Sequence, residues 1–440
     1  MNHKKFFQLA KEKGISSCQI KELSSKAISF KLFHHELDSY TIKQTKSISA
    51  CGIFNGKFAS ASTEKDDKTT PEYLVNEIIL NATFSEKTDD VEMFEGSQKY
   101  KKKNFFNRDL GAFPLKKKIS LLKEIENDLY NASPLVKDVD GLAYNESSTV
   151  CHFENSFGLK LKDKSNTCFI IGGVVLQKDD QIKTYYDMYF DNSLANFNKE
   201  NFVKEIIKNA ENKIGGSSLK SSKYPTVIKN EVFADLISYF LEATIAEDVQ
   251  KHSSFLEGKL NAKIGSPKLT IEEKPLAKNL FYSYYDGEGV ATKNFPIVKK
   301  GVLTSYLYNR RTAKKDGVET TASASWTGGK IGTAFQNVFI KPGKKSFDEM
   351  ISGIEKGVYI TEIAGLGTGM NETSGDFSCQ AEGFLIENGK LTKPLNLITL
   401  SGNLLKMLKD IKEFDNNVKL TVGAITLSDV LIKKMSIGGE

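Results

Sequence analysis

The first part of the chain alternates apolar and polar residues with the two-residue period of β-strands. A short amphipathic helix is predicted at residues 5–13, and Asn55 with Gly56 provides a hairpin turn before a strand of small residues. A second helix begins at Thr70 and Pro71. Four strands are predicted between the first helix and this turn, at residues 18–23, 27–33, 37–42 and 47–54.

The same arrangement recurs in the next part of the chain. A helix over residues 115–131 precedes a second series of strands, predicted at residues 136–145, 148–154, 158–162, 167–176 and 183–190. Two successive groups of a helix and an antiparallel meander indicate an α+β fold rather than a parallel α/β fold.

Residues 84–110, between the two groups, are polar and rich in lysine. Basic residues such as Lys101 and Arg108 stand near aromatic residues such as Phe105, a composition that can bind nucleic acid. An exposed linker with an apolar anchor is the favoured interpretation, because no nucleic-acid-binding fold follows.

The last part of the chain is rich in short strands. Helices are predicted at residues 200–212 and 230–248, with a strand at 224–228 between them. After these, short apolar runs separated by glycine turns predict a closed or nearly closed sheet, with a late helix at 402–412. We therefore predict an α+β protein in which an N-terminal helix-plus-antiparallel-meander region is followed by a β-rich, barrel-like C-terminal domain. The predicted segments are 1–110, 111–222 and 223–440, of which the first two pack as one N-terminal lobe.

Composition narrows the class of protein without indicating a partner. The net charge of +6 is small beside 61 basic and 55 acidic residues, so charge argues little for an acidic partner. Five scattered cysteines form no CxxC pair, which predicts reduced thiols. The longest apolar run, residues 168–176, falls well short of the about 20 residues that span a membrane. These features predict a cytoplasmic protein without a membrane partner.

A glycine-rich turn that leads into a strand is the most informative stretch of the chain. Gly375 frees the backbone, and Asp376 and Ser378 should share one face of a strand over residues 377–386. An Asn-Gly pair at 388–389 predicts the hairpin turn that ends it. A carboxylate and a hydroxyl on one sheet face suit peptide or ligand binding. A tight hairpin whose polar side chains only satisfy local backbone groups explains the composition equally well.

Other polar groups give weaker signals. Asp286 and Glu288 lie on either side of a flexible glycine, and a turn with two solvated carboxylates is the favoured interpretation. Asn155 stands in a turn, which by itself explains its composition. No two of the five histidines lie three or four apart on a predicted helix, so no zinc-binding pair is predicted. No serine, histidine and acid form a triad pattern.

Taken together, an ordered set of motifs resembles the TldD/PmbA (TldE) family. The set consists of Asp-Gly-Glu-Gly at 286–289, Val-Lys-Lys-Gly-Val-Leu at 298–303, Gly-Asp-Phe-Ser at 375–378, Gly383, Ile-Glu-Asn-Gly at 386–389 and Asn-Ser-Phe-Gly at 155–158. The resemblance covers essentially the whole chain.

The resemblance implies a metalloprotease in which a TldD subunit carries zinc on a His-Glu-x-x-x-His helix, with a cysteine near the C-terminus as a further ligand. The corresponding helix here is 230–248, which contains no histidine, and no cysteine follows Cys379. The chain is therefore similar to the PmbA/TldE branch, which lacks its own zinc site. No cofactor is expected in this chain, and zinc is expected on a TldD-like partner.

Three functions compete at this point. The leading one is a non-catalytic subunit that encloses, with a TldD-like partner, a chamber for unfolded peptides or small proteins. The alternative is a stand-alone homodimeric peptide-binding or assembly protein without a proteolytic role. The third is an enzyme with a metal-free site built from the acids and the serine named above. The candidates for the substrate cleft are Asp286, Glu288, Gly375, Asp376, Ser378 and Asn155, with no catalytic residue and no metal ligand predicted.

Overall fold

The structure, a computed structural model, describes residues 1–85, 92–327 and 329–440. Its helices are α1 (His3–Glu12), α2 (Thr70–Phe84), α3 (Arg108–Ala112), α4 (Leu115–Ala132), α5 (Lys199–Glu211), α6 (Asn230–Ala243), α7 (Ala246–Gln250), α8 (Arg310–Asp316), α9 (Phe347–Ile351), α10 (Leu366–Gly369) and α11 (Leu404–Lys409). Its strands in the first half are β1 (Ile15–Phe33), β2 (Glu36–Phe54), β3 (Lys57–Thr63), β4 (Val136–Asn155), β5 (Lys160–Lys178) and β6 (Gln181–Asp191).

The strands of the second half are shorter. They are β7 (Ser222–Ile228), β8 (Ile271–Glu273), β9 (Phe295–Lys299), β10 (Val302–Leu303), β11 (Ala324–Thr327), β12 (Lys330–Thr333), β13 (Val338–Ile340), β14 (Lys356–Ala364), β15 (Asp376–Glu387), β16 (Lys390–Asn403), β17 (Ile411–Phe414), β18 (Lys419–Leu420), β19 (Ile425–Leu427) and β20 (Val430–Gly438).

The chain forms two compact units. The first unit comprises Met1–Glu211, Lys278–Thr292 and Ala324–Gly332, and the second comprises Asn212–Ala277, Lys293–Ser323 and Thr333–Glu440. The first unit thus includes two short segments from the part of the sequence that we assigned to the C-terminal domain. The predicted boundaries of the three sequence segments stay a prediction.

The first unit is built on one antiparallel sheet with the strand order β3-β2-β1-β4-β5-β6. The two predicted meanders are joined through the pairing of β1 with β4, which aligns Ile20 with Glu154. Helices α1 and α2 pack beside β1 to β3, where Phe6, Leu74 and Ile78 are fully buried. Helices α4 and α5 pack beside β4 to β6. The repeated helix-and-meander arrangement is therefore confirmed.

The four strands predicted before residue 55 are in fact two long ones. Strand β1 continues through the polar residues 24–26 because β2 pairs with one edge and β4 with the other, as at Ser24 and Lys26. Backbone pairing on both edges outweighs the weak strand preference of these side chains.

The linker predicted over residues 84–110 is only partly described, since residues 86–91 lie outside the described part. The remainder up to residue 107 forms no helix or strand, but hydrogen bonds attach it to the first unit. The Asn107 N–H donates to Asn166 Oδ1 at 2.9 Å, and the Tyr100 hydroxyl donates to the Gly289 carbonyl at 2.8 Å. These residues are held in place rather than forming a free linker.

The second unit contains two six-stranded sheets. One has the order β10-β9-β8-β13-β19-β18. The other has the order β16-β15-β14-β7-β20-β17, and an additional pairing of β16 with β20 closes β16, β15, β14, β7 and β20 into a five-stranded barrel. The prediction of a barrel-like C-terminal domain is confirmed.

The helix predicted at 230–248 is divided into α6 and α7. At the junction, the Ala246 N–H donates to the Leu307 carbonyl at 3.0 Å instead of continuing the helical pattern. Buried apolar residues of α6, including Phe233, Leu236 and Phe240, belong to the core of the second unit. Among the described residues, none of the helices has both the length and the apolar character required to span a bilayer.

Candidate functional site

The Asp286 turn lies inside the first unit. One carboxylate oxygen, Oδ1, accepts the N–H groups of Glu288 and Val290, both at 2.9 Å. The other oxygen accepts the Ala324 N–H at 3.1 Å. Asp286 is 4% exposed and Glu288 is 5% exposed. Our interpretation of this turn as two solvated carboxylates is therefore wrong, because the folded chain buries both.

Burial changes the acidity of this turn. It raises the pKa of Asp286 to about 8, with the nearby Glu288 carboxylate as the second cause and the three N–H donors opposing both. Asp286 therefore holds a proton more tightly than an exposed carboxylate does.

Glycine is required in the same turn by close packing. A Cβ at Gly287 would lie 2.7 Å from the Ser325 carbonyl carbon, and one at Gly289 would lie 2.9 Å from the Phe153 ring. Gly289 also has a φ of 82°. The Asp-Gly-Glu-Gly sequence thus fits a buried turn that carries two carboxyl groups.

Asn155 also lies in the first unit and is 3% exposed. Its Oδ1 accepts the N–H groups of Phe157 and Leu159, each at 3.0 Å, and its Nδ2 donates to the Phe94 carbonyl at 2.6 Å. The side-chain oxygen and nitrogen of Asn155 thus connect the turn after β4 with the segment before α3.

The Gly375 turn and strand β15 lie in the second unit. Gly375 has a φ of 75°, its N–H donates to the Asn371 carbonyl, and its carbonyl accepts the Leu404 N–H. The predicted conformational role of this glycine is confirmed. The hairpin turn at the far end of β15 is confirmed as well, with Asn388 and Gly389 both at positive φ.

The polar residues of β15 share one face, as predicted. Asp376 and Ser378 are exposed, while Phe377 between them is 4% exposed and packs in the core. Asp376 accepts hydrogen bonds from the Ser374 hydroxyl at 2.7 Å and from Asn403 Nδ2 at 2.9 Å. These two bonds, in that order, lower its pKa. The carboxylate is therefore ionised and reaches solvent.

Two residues of β16 complete this face, and the sequence did not indicate them. Ser401 Oγ lies 2.8 Å from Ser378 Oγ, and Asn403 bonds to Asp376 as described. Both edges of β15 are paired, by β16 on one side and by β14 and Met370 on the other. A peptide at this strand would therefore contact side chains rather than free backbone groups.

The six candidates fall into two groups. Asn155, Asp286 and Glu288 are in the first unit, whereas Gly375, Asp376 and Ser378 are in the second.

Glu273 on β8 is a buried acid that the sequence did not indicate. It is 2% exposed, and its Oε1 accepts the N–H groups of Gln336 at 3.1 Å and Asn337 at 2.7 Å. Burial raises its pKa to about 7. Nothing in the local sequence distinguishes it from its half-buried neighbour Glu272, so only the tertiary structure identifies it.

Helix α6 does not fit a zinc ion. Its inward positions Leu236 and Phe240 are fully buried and carry no ligand atom. Glu242 lies on the exposed side of α6, and partial burial of its carboxyl, then Glu372 and then Asp248, raise its pKa. Across residues 1–85, 92–327 and 329–440, no three histidine, cysteine, aspartate or glutamate side chains are grouped so that they could hold a metal.

Sequence comparison relates the chain to metallopeptidases. The sequence model of the PmbA/TldA metallopeptidase C-terminal domain matches residues 221–439, and that of the central domain matches residues 108–214. Metalloprotease PmbA from Escherichia coli O157:H7 is 28% identical over 324 residues, which cover 73% of this chain and 70% of that protein. A zinc metalloprotease TldD homolog from Saccharolobus solfataricus is 26% identical over 348 residues, covering 73% and 76%.

Structure comparison gives matches over nearly the full length. A putative modulator of DNA gyrase from Thermotoga maritima superimposes with a TM-score of 0.91 at 27% identity, covering 99% of both chains. TldE from Thermococcus kodakarensis has a TM-score of 0.90 at 20% identity, covering 99% of this chain and 100% of its own, and shows that the fold is shared.

Proposed function

Because the chain belongs to the PmbA/TldD metallopeptidase family, we propose that it is the non-catalytic subunit of a two-component metallopeptidase for unfolded peptides or small proteins. A TldD-like partner would carry the zinc, and this chain would form part of the substrate chamber. The observation that carries the proposal is the composition of α6, where Leu236 and Phe240 are buried and no histidine is present.

Physical chemistry supports the division of labour. Hydrolysis by zinc requires about three protein ligands and an open position for water. Among the described residues, Glu242 on α6 belongs to no group of three side chains that could hold a metal, so it would have no metal-bound water to activate. The peptide-facing role would belong to the exposed face of β15, with Asp376 and Ser378.

The first test is metal content. We expect the isolated full chain to contain no stoichiometric zinc by elemental analysis. Variants His152→Ala and His252→Ala are the controls. One tightly held zinc per chain, lost in either variant, would contradict the proposal.

The second test is reconstitution. Co-expression with a family relative that carries His-Glu-x-x-x-His should give a heterodimer, which light scattering detects by its mass. We expect its interface to bury more than about 2,000 Å², as in obligate dimers. The heterodimer should cleave a labelled unstructured peptide, and a partner variant without the first signature histidine should not. A homodimer that does not bind the co-expressed relative would favour a stand-alone binding protein. Chelator-resistant cleavage by the isolated chain would favour a metal-free enzyme.

A further inference from the structure

A basic pocket of the second unit adjoins the exposed face of β15. It has a volume of about 260 Å³, enough for a side chain and too small for a folded partner. Ser401 and Asn403, which bond to Ser378 and Asp376, line one side of it. Four lysines and one aspartate supply its charged groups, namely Lys223, Lys406, Lys433, Lys434 and Asp410. We call it the lysine pocket.

The lysine pocket depends on an irregularity in β20. Ile432 pairs with Thr226 and Met435 pairs with Tyr224, so the two lysines at 433–434 stand opposite Pro225 alone. Proline has no N–H to donate to a neighbouring strand, and an extra residue on the partner strand forms a bulge there.

The bulge has a direct consequence for charge. Neighbouring side chains of a regular strand point to opposite faces, yet Lys433 and Lys434 both line the lysine pocket. The Lys433 N–H donates to the Asp410 carbonyl at 2.8 Å, which fixes the bulge to the residue after α11.

The positive charge of the lysine pocket is not neutralised by the protein. All four lysines are exposed. In the part of the chain that the structure describes, their ammonium groups form no ion pair. The nearest acid in the pocket lining is the single half-buried Asp410, so the lining carries a surplus of three positive charges.

We propose that the lysine pocket binds a carboxylate of the peptide that lies on the β15 face, so that the chain prefers acidic peptides. Ammonium groups bind carboxylate and phosphate alike as point charges, but the pocket continues the peptide-facing surface through Ser401 and Asn403, which favours a carboxylate on a peptide. This inference rests on the proposed function, since it names the substrate class of that surface.

The test compares two labelled unstructured peptides, one with several aspartates and glutamates and one with asparagine and glutamine in their place. Fluorescence anisotropy with the full chain, alone and with the zinc-bearing relative, should show about fivefold tighter binding of the acidic peptide, since exposed ion pairs are individually weak. High salt should reduce the preference.

Two matched double variants distinguish binding at the lysine pocket from an effect of the overall net charge. In Lys433→Gln/Lys434→Gln the preference should disappear while binding of the amide peptide is unchanged. Lys116→Gln/Lys117→Gln, an exposed pair on α4 in the first unit, makes the same change in net charge and should keep the preference.

The outcomes distinguish the two proposals. If both peptides bind equally well, or if the control pair loses the preference to the same extent, the lysine pocket is not a carboxylate site. If millimolar inorganic phosphate binds at the pocket while the peptides show no preference, the ligand is a free anion and the inference is overturned. If neither peptide binds in any form of the protein, the proposed function itself fails.

Discussion

Asp286 and Asp376 both lie beside glycines in turns, but the first is buried in the first unit and the second is exposed in the second unit. Three backbone N–H groups donate to the first carboxylate, whereas a serine hydroxyl and an asparagine amide donate to the second. The first therefore links separate segments of backbone. The second keeps an ionised group in solvent. Neighbours in space, rather than composition, decide which role a carboxylate has.

The pKa values of the two groups move in opposite directions, each because of its own surroundings. Burial, then Glu288, raise the pKa of Asp286, because the charged form loses its hydration. Hydrogen bonds from Ser374 and Asn403 lower the pKa of Asp376, because they stabilise the charged form without removing it from water. This difference can be tested by variants and by pH.

The largest expected effect concerns the apolar anchor of β15. Phe377 is 4% exposed between two exposed polar residues, so Phe377→Ala should cost about 3–5 kcal/mol of unfolding free energy. Urea denaturation followed by circular dichroism measures it. Phe157→Ala, at a phenylalanine that is 50% exposed, is the control and should change little. Equal midpoints for both variants would show that β15 is not anchored by this ring.

The next effect concerns the buried carboxylate. In Asp286→Asn the side-chain amide nitrogen would face the Ala324 N–H. Both groups are hydrogen-bond donors, so the bond that Asp286 Oδ2 accepts from Ala324 would be lost. We expect a loss of about 2–3 kcal/mol. The matched change Asp376→Asn should leave the urea midpoint unchanged. If the two variants were equally stable, the contrast between the turns would be wrong.

The pH dependence should be smaller and opposite to the usual behaviour of carboxylates. Because the folded pKa of Asp286 is raised from 3.8 to about 8, the folded state keeps a proton that the unfolded state has released. The contribution of Asp286 to the stability of the first unit should therefore be greatest below the ordinary carboxyl pKa and fall as the pH rises towards about 8, by at least about 1 kcal/mol, the value of one pKa unit.

The fluorescence of Trp326 reports the unfolding of the first unit at each pH, because Trp326 is the one tryptophan in the sequence and lies in that unit. Asp286→Asn removes this contribution, so the stability of the unchanged protein should fall relative to that of the variant as the pH rises. Parallel pH profiles of the two proteins would contradict the raised pKa.

The extent of β15 could be predicted from the sequence, but the residues that pair with it on β16 could not. The turn at Asn388 and Gly389 pairs Glu387 with Lys390, and continuing that register would place Ser378 opposite Thr399. Two irregularities, between 381 and 383 and between 384 and 386, shift the pairing by two residues, so that Ser378 meets Ser401. Such bulges depend on packing against other strands, and no local pattern reveals them.

Burial was the other quantity that the sequence did not provide. Glycine next to Asp286 indicated a flexible turn, yet its lack of a side chain serves close packing against Ser325. The helices and meanders were predicted because the periodicity of apolar residues is a local property of the sequence. The environment of a carboxylate was not, because it depends on residues such as Ala324 and Ser325, which pack against the turn from farther along the chain.

The smallest change in stability, and the one that decides function, is expected at the exposed face of β15. Among the described residues, the side chains removed by Asp376→Asn and Ser378→Ala bond to the side chains of Ser374, Asn403 and Ser401 alone, so folding should be nearly intact. Peptide turnover by the reconstituted complex should fall about fivefold, because correct placement of a substrate contributes to the rate. Asp348→Asn, an exposed aspartate on α9, is the control for a lost surface charge and should keep full turnover. If turnover in all three variants equals that of the unchanged complex, β15 is a structural hairpin and the peptide is held elsewhere.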